Sequence, residues 1–311
     1  LVLAGGVALN CVGNGRILRE SPFEKIWIQP AAGDAGGALG AALFVWYQLL
    51  DHERVTKPSD LQKGSLLGPA FDNDSIKRFL DDTKTPYHTC NDEDDLAQCV
   101  ADLIASNKVV GWFQGAMEFG PRALGHRSIL GDARSESMQS VMNLKIKFRE
   151  SFRPFAPCVL AEHAHEYFDI QPDQDSPYML IVAPVKEDKR LVHDNDRMQG
   201  LDRVKTARSV IPAVTHVDNS ARVQTVDEGR HPRLHRLMTK LYQATGCPVI
   251  INTSFNIRGE PIVCTPEQAY RCFMATDMDA LVLENQVLYK QEQPGPGAAD
   301  VDQYKSQFKL D

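Results

Sequence analysis

The chain has 311 residues, a formal net charge of -7 and 43% hydrophobic residues, an ordinary globular composition with length for roughly two domains. Its acidic balance, with a pI of about 5.7, argues against a general binder of nucleic acid or membrane surface, both of which call for excess basic charge. No stretch approaches the ~20 apolar residues needed to span a bilayer, and seven cysteines without CxxC spacing favour reduced thiols in the cytoplasm over disulfides or a cysteine zinc site.

Residues 1–50 predict alternating β/α architecture: a strand over 1–4, a helix over 10–20, a strand over 25–28 and a helix over 35–50. The glycine-rich turns after both strands let backbone N–H groups approach a phosphate, or serve only as tight strand-to-helix connections. A chain that opens on Leu1 inside such a strand reads as a fragment, a processed product or a truncated form. Residues 51–72 lack periodicity, carry Pro58, Gly64, Gly68 and Pro69, and read as a linker. Residues 73–290 predict one mixed α/β domain, with helices over 92–106, 136–146, 232–245 and 266–275. Its strands are expected over 109–113, 178–182, 223–226, 248–251 and 280–282. The charged stretch 186–208 reads as an exposed excursion, and the tail 291–311, with Pro294-Gly295-Pro296-Gly297, as poorly ordered.

Against the acidic background, one region gathers six cations beside Gly-Pro turns: Glu118-Phe119-Gly120-Pro121-Arg122-Ala123-Leu124-Gly125-His126-Arg127-Ser128, then Lys145, Lys147, Arg149 and Arg153 ahead of Pro154-Phe155-Ala156-Pro157. Guanidinium groups pair with phosphate oxygens bidentately, so a small, densely anionic ligand is the leading reading. The alternative is a solvated basic face paired with Glu118, Asp132 or Glu150. Lys145, Lys147 and Arg149 share a face if extended and spread if helical.

A second constellation, Asn252-Thr253-Ser254-Phe255-Asn256-Ile257-Arg258-Gly259-Glu260-Pro261, follows an apolar run and puts hydroxyl, amide and backbone donors at a strand end. That is a common ligand position in α/β proteins. Ser254 reads as a binding group rather than a nucleophile, because no histidine stands in an obvious partner position. Arg222, at the opening of a strand, reads by itself as structural. The nine histidines give no metal spacing, and neither a Walker-type P-loop nor a GxGxxG loop occurs.

Five motifs in order carry a resemblance: Leu3-Ala4-Gly5-Gly6-Val7-Ala8-Leu9-Asn10, Pro30-Ala31-Ala32-Gly33-Asp34-Ala35-Gly36-Gly37-Ala38-Leu39-Gly40, the 118–128 run, Phe152-Arg153-Pro154-Phe155-Ala156-Pro157 and Asn252-Thr253-Ser254-Phe255-Asn256. Together they resemble the O-carbamoyltransferases of antibiotic and Nod-factor biosynthesis, over nearly the whole chain up to about Lys290. That family joins an actin-like domain, similar to tRNA threonylcarbamoyltransferases, to a YrdC-like domain. The resemblance implies that residues 1–50 are the end of the actin-like domain and residues 73–290 a YrdC-like α/β (mixed α+β) domain with a twisted sheet.

It implies activation of carbamoyl phosphate with ATP to carbamoyl adenylate, release of pyrophosphate, and transfer to a hydroxyl-bearing small-molecule acceptor. Carried over by motif, Arg122, Lys147, Arg222 and Ser254 take the catalytic positions around carbamoyl phosphate and the adenylate. Arg127, Arg149, Arg153, Asn252 and Asn256 are substrate-binding additions. Gly5, Gly6 and Asn10 match the nucleotide-side loop of the actin-like part, and Asp34 its late metal ligand. ATP as a substrate implies Mg2+; iron or another divalent metal requires the rest of the actin-like part, since one carboxylate does not hold a transition metal alone. A homodimer is compatible with the resemblance. Two other readings stand beside it: an RNA-binding YrdC-like module, disfavoured by the acidic pI and the few aromatics among the basic residues, and a catalytically inactive nucleotide-binding or regulatory domain.

Overall fold

The computed structural model describes residues 1–56, 60–191, 206–295 and 298–308. Two β/α units come first. β1 (Val2–Leu3) and β2 (Trp27–Ile28) pair in parallel, and each leads into a helix, α1 (Cys11–Glu20) and α2 (Asp34–Phe44). Asn10 starts α1 because its side-chain oxygen accepts the Gly13 N–H at 3.0 Å. Asn14 then ties α1 to the larger unit by donating to the Ala8 and Leu180 carbonyls, and Arg19 donates to that of Val182. Gly15 permits the close approach, since a Cβ there would lie 2.1 Å from the Val182 carbonyl oxygen.

The larger unit is a nine-stranded sheet in the order β3-β11-β10-β4-β5-β9-β6-β8-β7. Its strands are β3 (His88–Thr89), β4 (Val110–Phe113), β5 (Arg127–Asp132), β6 (Ala156–Leu160), β7 (Ile181–Pro184), β8 (Ser220–Val226), β9 (Val249–Ser254), β10 (Ala280–Leu283) and β11 (Gln286–Tyr289). β4–β10 and β6–β8 run parallel and the other neighbours antiparallel, so the sheet is mixed and the expected mixed α/β class holds. Its helices are α3 (Asn73–Asp82), α4 (Glu93–Ala105), α5 (Met138–Lys145), α6 (Ala164–Tyr167), α7 (Pro232–Thr245), α8 (Pro266–Met274) and α9 (Ala298–Ser306).

Local signals set several helix ends. Asp92 caps α4 through the N–H groups of Asp94 and Asp95, Thr265 and Gln268 form a reciprocal capping box on α8, and α7 stops at Gly246 with φ 70°. On one face of the sheet Trp112, Leu130, Val226 and Ile250 pack against Leu96 and Val100 of α4 and Leu234 and Leu237 of α7. On the other, Phe113, Ile129, Val249 and Ile251 meet Ile76 and Leu80 of α3, Met142 of α5 and Phe273 of α8. Full burial of such a side chain contributes about 1.5–3 kcal/mol.

Three expectations change. The central strands β5 and β6 are absent from the expected strands: β5 begins inside the 118–128 run and β6 inside the 152–157 motif. Residues 60–72, expected to be linker, are bound to the larger unit: Ser65 accepts from Phe119 N–H, Gly68 donates to Met117, and the Asp60 carboxylate accepts from the Tyr178 hydroxyl. The tail contains α9, whose Tyr304 is buried against the Glu260 carboxylate. Of the expected excursion over 186–208, residues 192–205 lie outside the described residues. Among the described residues no helix is long and apolar enough to cross a membrane.

In an open helix, Gly→Ala stabilises by about 1 kcal/mol. At Gly15 the Val182 carbonyl reverses the sign, and Gly15→Ala is expected to destabilise by about 1–3 kcal/mol in urea denaturation. A neutral or stabilising effect would show that α1 does not sit on β7 as described.

Candidate active site

Strand parity decides which side chains meet. Arg222 on β8 shares its face with Val226, and Asn252 and Ser254 on β9 share theirs with Ile250; both apolar residues belong to the layer under α4 and α7. Neither helix contributes to the open cleft of about 330 Å³ that forms on this face. Arg122, Arg149, Arg153, Arg222, Asn252 and Ser254 all line it, so six of the residues marked by sequence come together in one place.

The lining contains four arginines and no carboxylate. The Arg122 Nε is buried without a partner among the described residues. Burial, and then neighbouring Arg122, holds the Arg222 guanidinium below its ordinary range. Burial, and then Arg153, pushes Arg149 down to about 10. Arg149 donates to Asn143 Oδ1 at 2.6 Å, while Arg153 pairs loosely with Glu150 at 3.7 Å. Crowded cations with little internal compensation favour an anionic occupant.

Lys147 lies next to the cleft wall rather than in its lining. After α5 ends, Phe148 takes a left-handed φ of 48°, which separates an inward Lys147 from a cleft-facing Arg149. The Lys147 Nζ donates to the carbonyl oxygens of Ser254 and Asn256 and to Asn256 Oδ1, and stands 3.4 Å from Ser254 Oγ. Ser254 in turn donates its hydroxyl to Asn256 Oδ1 at 2.7 Å. With Lys147 only 3% exposed, burial pushes its ammonium down to about 7, which leaves the charge sensitive to pH near neutrality. Asn252 is buried as well: its Nδ2 donates to Gln224 Oε1 at 2.8 Å and to the Ala123 carbonyl at 3.3 Å, and its Oδ1 has no donor among the described residues.

Arg127 does not join the cleft. It is fully buried at the start of β5, 3.5 Å over the Phe113 ring, and donates to the carbonyls of Pro69, Gln114, Gly115 and His126. All of its side-chain hydrogen bonds go to backbone carbonyls, which is the geometry of a framework group. Glu118 does the same for the loop that carries Arg122, with one carboxylate oxygen accepting the N–H groups of Leu124, His126 and Arg127 at 2.6, 2.8 and 3.2 Å. Sequence reasoning left Glu118 as a surface ion-pair partner and missed Gln224. Gln224's spacing of two from Arg222 on a strand was the available signal for the latter.

Gly5, Gly6, Asn10 and Asp34 lie outside the cleft lining. The Gly5 turn is exposed with φ 91°, the Asn10 side chain is committed to capping α1, and Asp34 is exposed in the first turn of α2. Among the described residues no three His, Cys, Asp or Glu side chains come close enough to hold a metal ion. The β2–α2 turn nevertheless abuts the arginine loop, since a Cβ on Gly120 (φ 133°) would sit 2.6 Å from Ala31 Cβ.

Comparison with known proteins adds a second line of observation. A family model of the carbamoyltransferase C-terminus matches residues 101–290, and one of the carbamoyltransferase N-terminus matches residues 1–43. The chain is 57% identical to an uncharacterized protein of Synechocystis sp., over 100% of this chain and 50% of that protein. It is 40% identical to nodulation protein NolNO of Sinorhizobium fredii, over 93% of this chain and 40% of that protein. It is 30% identical to 3'-hydroxymethylcephem-O-carbamoyltransferase of Streptomyces clavuligerus, over 85% of this chain and 43% of that protein. The chain therefore spans about half, or less, of the length of these relatives.

The separation of Arg127 from the cleft arginines is measurable. Arg127→Ala removes four hydrogen bonds to backbone carbonyls and the packing over Phe113, and is expected to cost about 3–5 kcal/mol in urea denaturation. Arg122→Ala removes a partnerless guanidinium and is expected to stay within about 0.5 kcal/mol of the parent. Equal losses would contradict the division into framework and cleft.

Proposed function

This chain belongs to the carbamoyltransferase family, and from that premise we propose that its larger unit converts carbamoyl phosphate and ATP to carbamoyl adenylate for transfer to a hydroxyl. The observation that carries the reading is the cleft in which Arg122, Arg149, Arg153 and Arg222 meet without a carboxylate, beside Ser254 and Asn252. Its size lies at the lower end of the roughly 300–1,000 Å³ common for small-molecule sites.

The atom balance sets what the site must do. Forming carbamoyl adenylate releases both inorganic phosphate and pyrophosphate and consumes one water. Water removes the phosphoryl group from carbamoyl phosphate and leaves carbamate; a carbamate oxygen then attacks the α-phosphorus of ATP, and the bond to the β-phosphate oxygen breaks. Both steps move negative charge among phosphate oxygens. Arg122 and Arg222, fixed before substrate arrives, stabilise that charge without reorganising. Lys147 adds a charge that depends on pH. The donorless Asn252 Oδ1 suits the carbamoyl amide, which offers two N–H donors, and the Ser254 hydroxyl can turn from Asn256 to the carbamoyl oxygen.

Mg2+ accompanying ATP would be held by phosphate oxygens, because the described residues supply no protein cage for it. Asp34 fits a metal only as one ligand of a set completed by other residues. A hydroxyl acceptor is suggested by the relative named for a 3'-hydroxymethylcephem, and the acceptor of this chain is proposed as a hydroxyl-bearing small molecule.

The reading is tested by carbamoyl-phosphate-dependent exchange of pyrophosphate into ATP. Arg122→Ala and Arg222→Ala should each lower exchange about 10²–10³-fold, with a smaller loss for Ser254→Ala. Protonated Lys147 adds positive charge beside the cleft, so the KM for carbamoyl phosphate should rise as pH climbs through and above about 7. Exchange untouched by both arginine substitutions overturns the assignment.

A further inference from the structure

Helix α9 lies outside the segment matched by either family model, yet it touches both sides of the Lys147 pocket. Tyr304, on its buried face, donates its hydroxyl to Glu260 Oε1. The next residue, Lys305, places its Nζ 3.7 Å from the centroid of the Phe148 ring, between Lys147 and Arg149 in sequence. Glu260 continues the path inward: its Oε2 accepts the Ile257 N–H at 2.8 Å, and its backbone carbonyl accepts Asn256 Nδ2 at 2.6 Å. Asn256 then offers Oδ1 and its backbone carbonyl to Lys147 Nζ at 2.8 and 2.9 Å.

We propose that Tyr304 is a positioning residue of this site: by donating to Glu260 it keeps that carboxylate ionised and the Asn256 turn in place, and so keeps Lys147 protonated. The electrostatics agree in sign. Burial raises the Glu260 carboxyl above its ordinary range, and the Tyr304 hydrogen bond is the first influence that opposes it. The groups facing Lys147 are Arg149 on its own segment, which disfavours its charge, Glu260 after β9, which favours it, and the Cys272 thiol on α8, which burial pushes up and so leaves uncharged. A protonated Glu260 would withdraw the one anionic support among these groups. The consequence for anion binding rests on the function proposed above; the effect on Lys147 itself does not.

The test titrates Lys147 directly, in the full chain labelled with [13Cε]lysine, with its resonance assigned by its loss in Lys147→Gln. Tyr304→Phe keeps the ring and removes only the hydroxyl; Glu260→Gln keeps the shape and removes the charge. Each should lower the Lys147 midpoint by at least about 0.5 pH unit, and the double variant should add little to either single one. Tyr304→Phe that lowers the melting temperature while leaving the midpoint unchanged makes Tyr304 a packing residue and overturns the proposal. A midpoint unmoved by Glu260→Gln does the same, and remains readable even where Tyr304→Phe fails to fold. Midpoints that shift in a chain that does not bind carbamoyl phosphate would sink the functional reading and leave this one standing.

Discussion

Like charges held together with no carboxylate in the cleft they line are the constraint around which the larger unit is organised. At an effective dielectric of ~20, two unit charges 4 Å apart interact by about 4 kcal/mol, so a cleft with four arginines tends to spread its side chains into water. Three of the four are restrained from different directions. Arg222 projects from β8, an interior strand of the sheet; Arg149 is held by Asn143; Arg122 rides on a loop fixed at Glu118. The repulsion is met during folding, by the sheet and loop hydrogen bonds, and under the proposed function an arriving phosphate would relieve it. That is why the arginines can serve binding and charge stabilisation without first being gathered by the ligand.

Two buried charges make the restraints rigid, and both are solvated by backbone or amide groups. One oxygen of the Glu118 carboxylate takes three N–H donors from its own loop, and the Lys147 ammonium is met by carbonyl and amide oxygens from the β9 exit. A charge satisfied by peptide dipoles fixes the conformation of the peptide that supplies them. Glu118 therefore shapes residues 118–127, and Lys147 joins a segment after α5 to Ser254, more than 100 residues later. Arg127 complements them from the opposite sign by drawing four carbonyls around one guanidinium. The framework ions and the cleft ions differ in what faces them, not in residue type.

That difference explains which features were legible from sequence. The apolar periodicity of α4, α7 and α8 and the short runs of β4 and β10 announce themselves, because one side of each is buried over several residues. β5 does not, since it begins with Arg127 and ends with Asp132, and the motif around Arg127 looks like a ligand loop. β6 carries Pro157, which argues against a central strand; it is accommodated where β6 pairs with β9 but pairing with β8 begins only at Cys158. Six residues marked in the sequence line the cleft, Arg222 through the family resemblance alone, whereas Arg127 was not separable from them. A guanidinium that will face carbonyls and one that will face phosphate have the same letters around them until the strand register is known. Tyr304 was hidden for another reason: a single aromatic in a polar tail gives no periodic signal.

The N-terminal β/α units contribute to the cleft without lining it. Cys11, the first residue of α1, is close enough to Arg222 to influence its guanidinium, and Gly15 four residues on is pressed against β7. The N-terminal end of α1 thus stands beside the arginines, where the partial positive charge of its unsatisfied N–H groups adds to theirs. Gly120 meets Ala31 from the same side, which couples the arginine loop to the turn before α2. Residues matched to the two family models consequently share one electrostatic field. A change in how α1 seats on β7 should alter anion affinity in the cleft even though no cleft residue has been replaced.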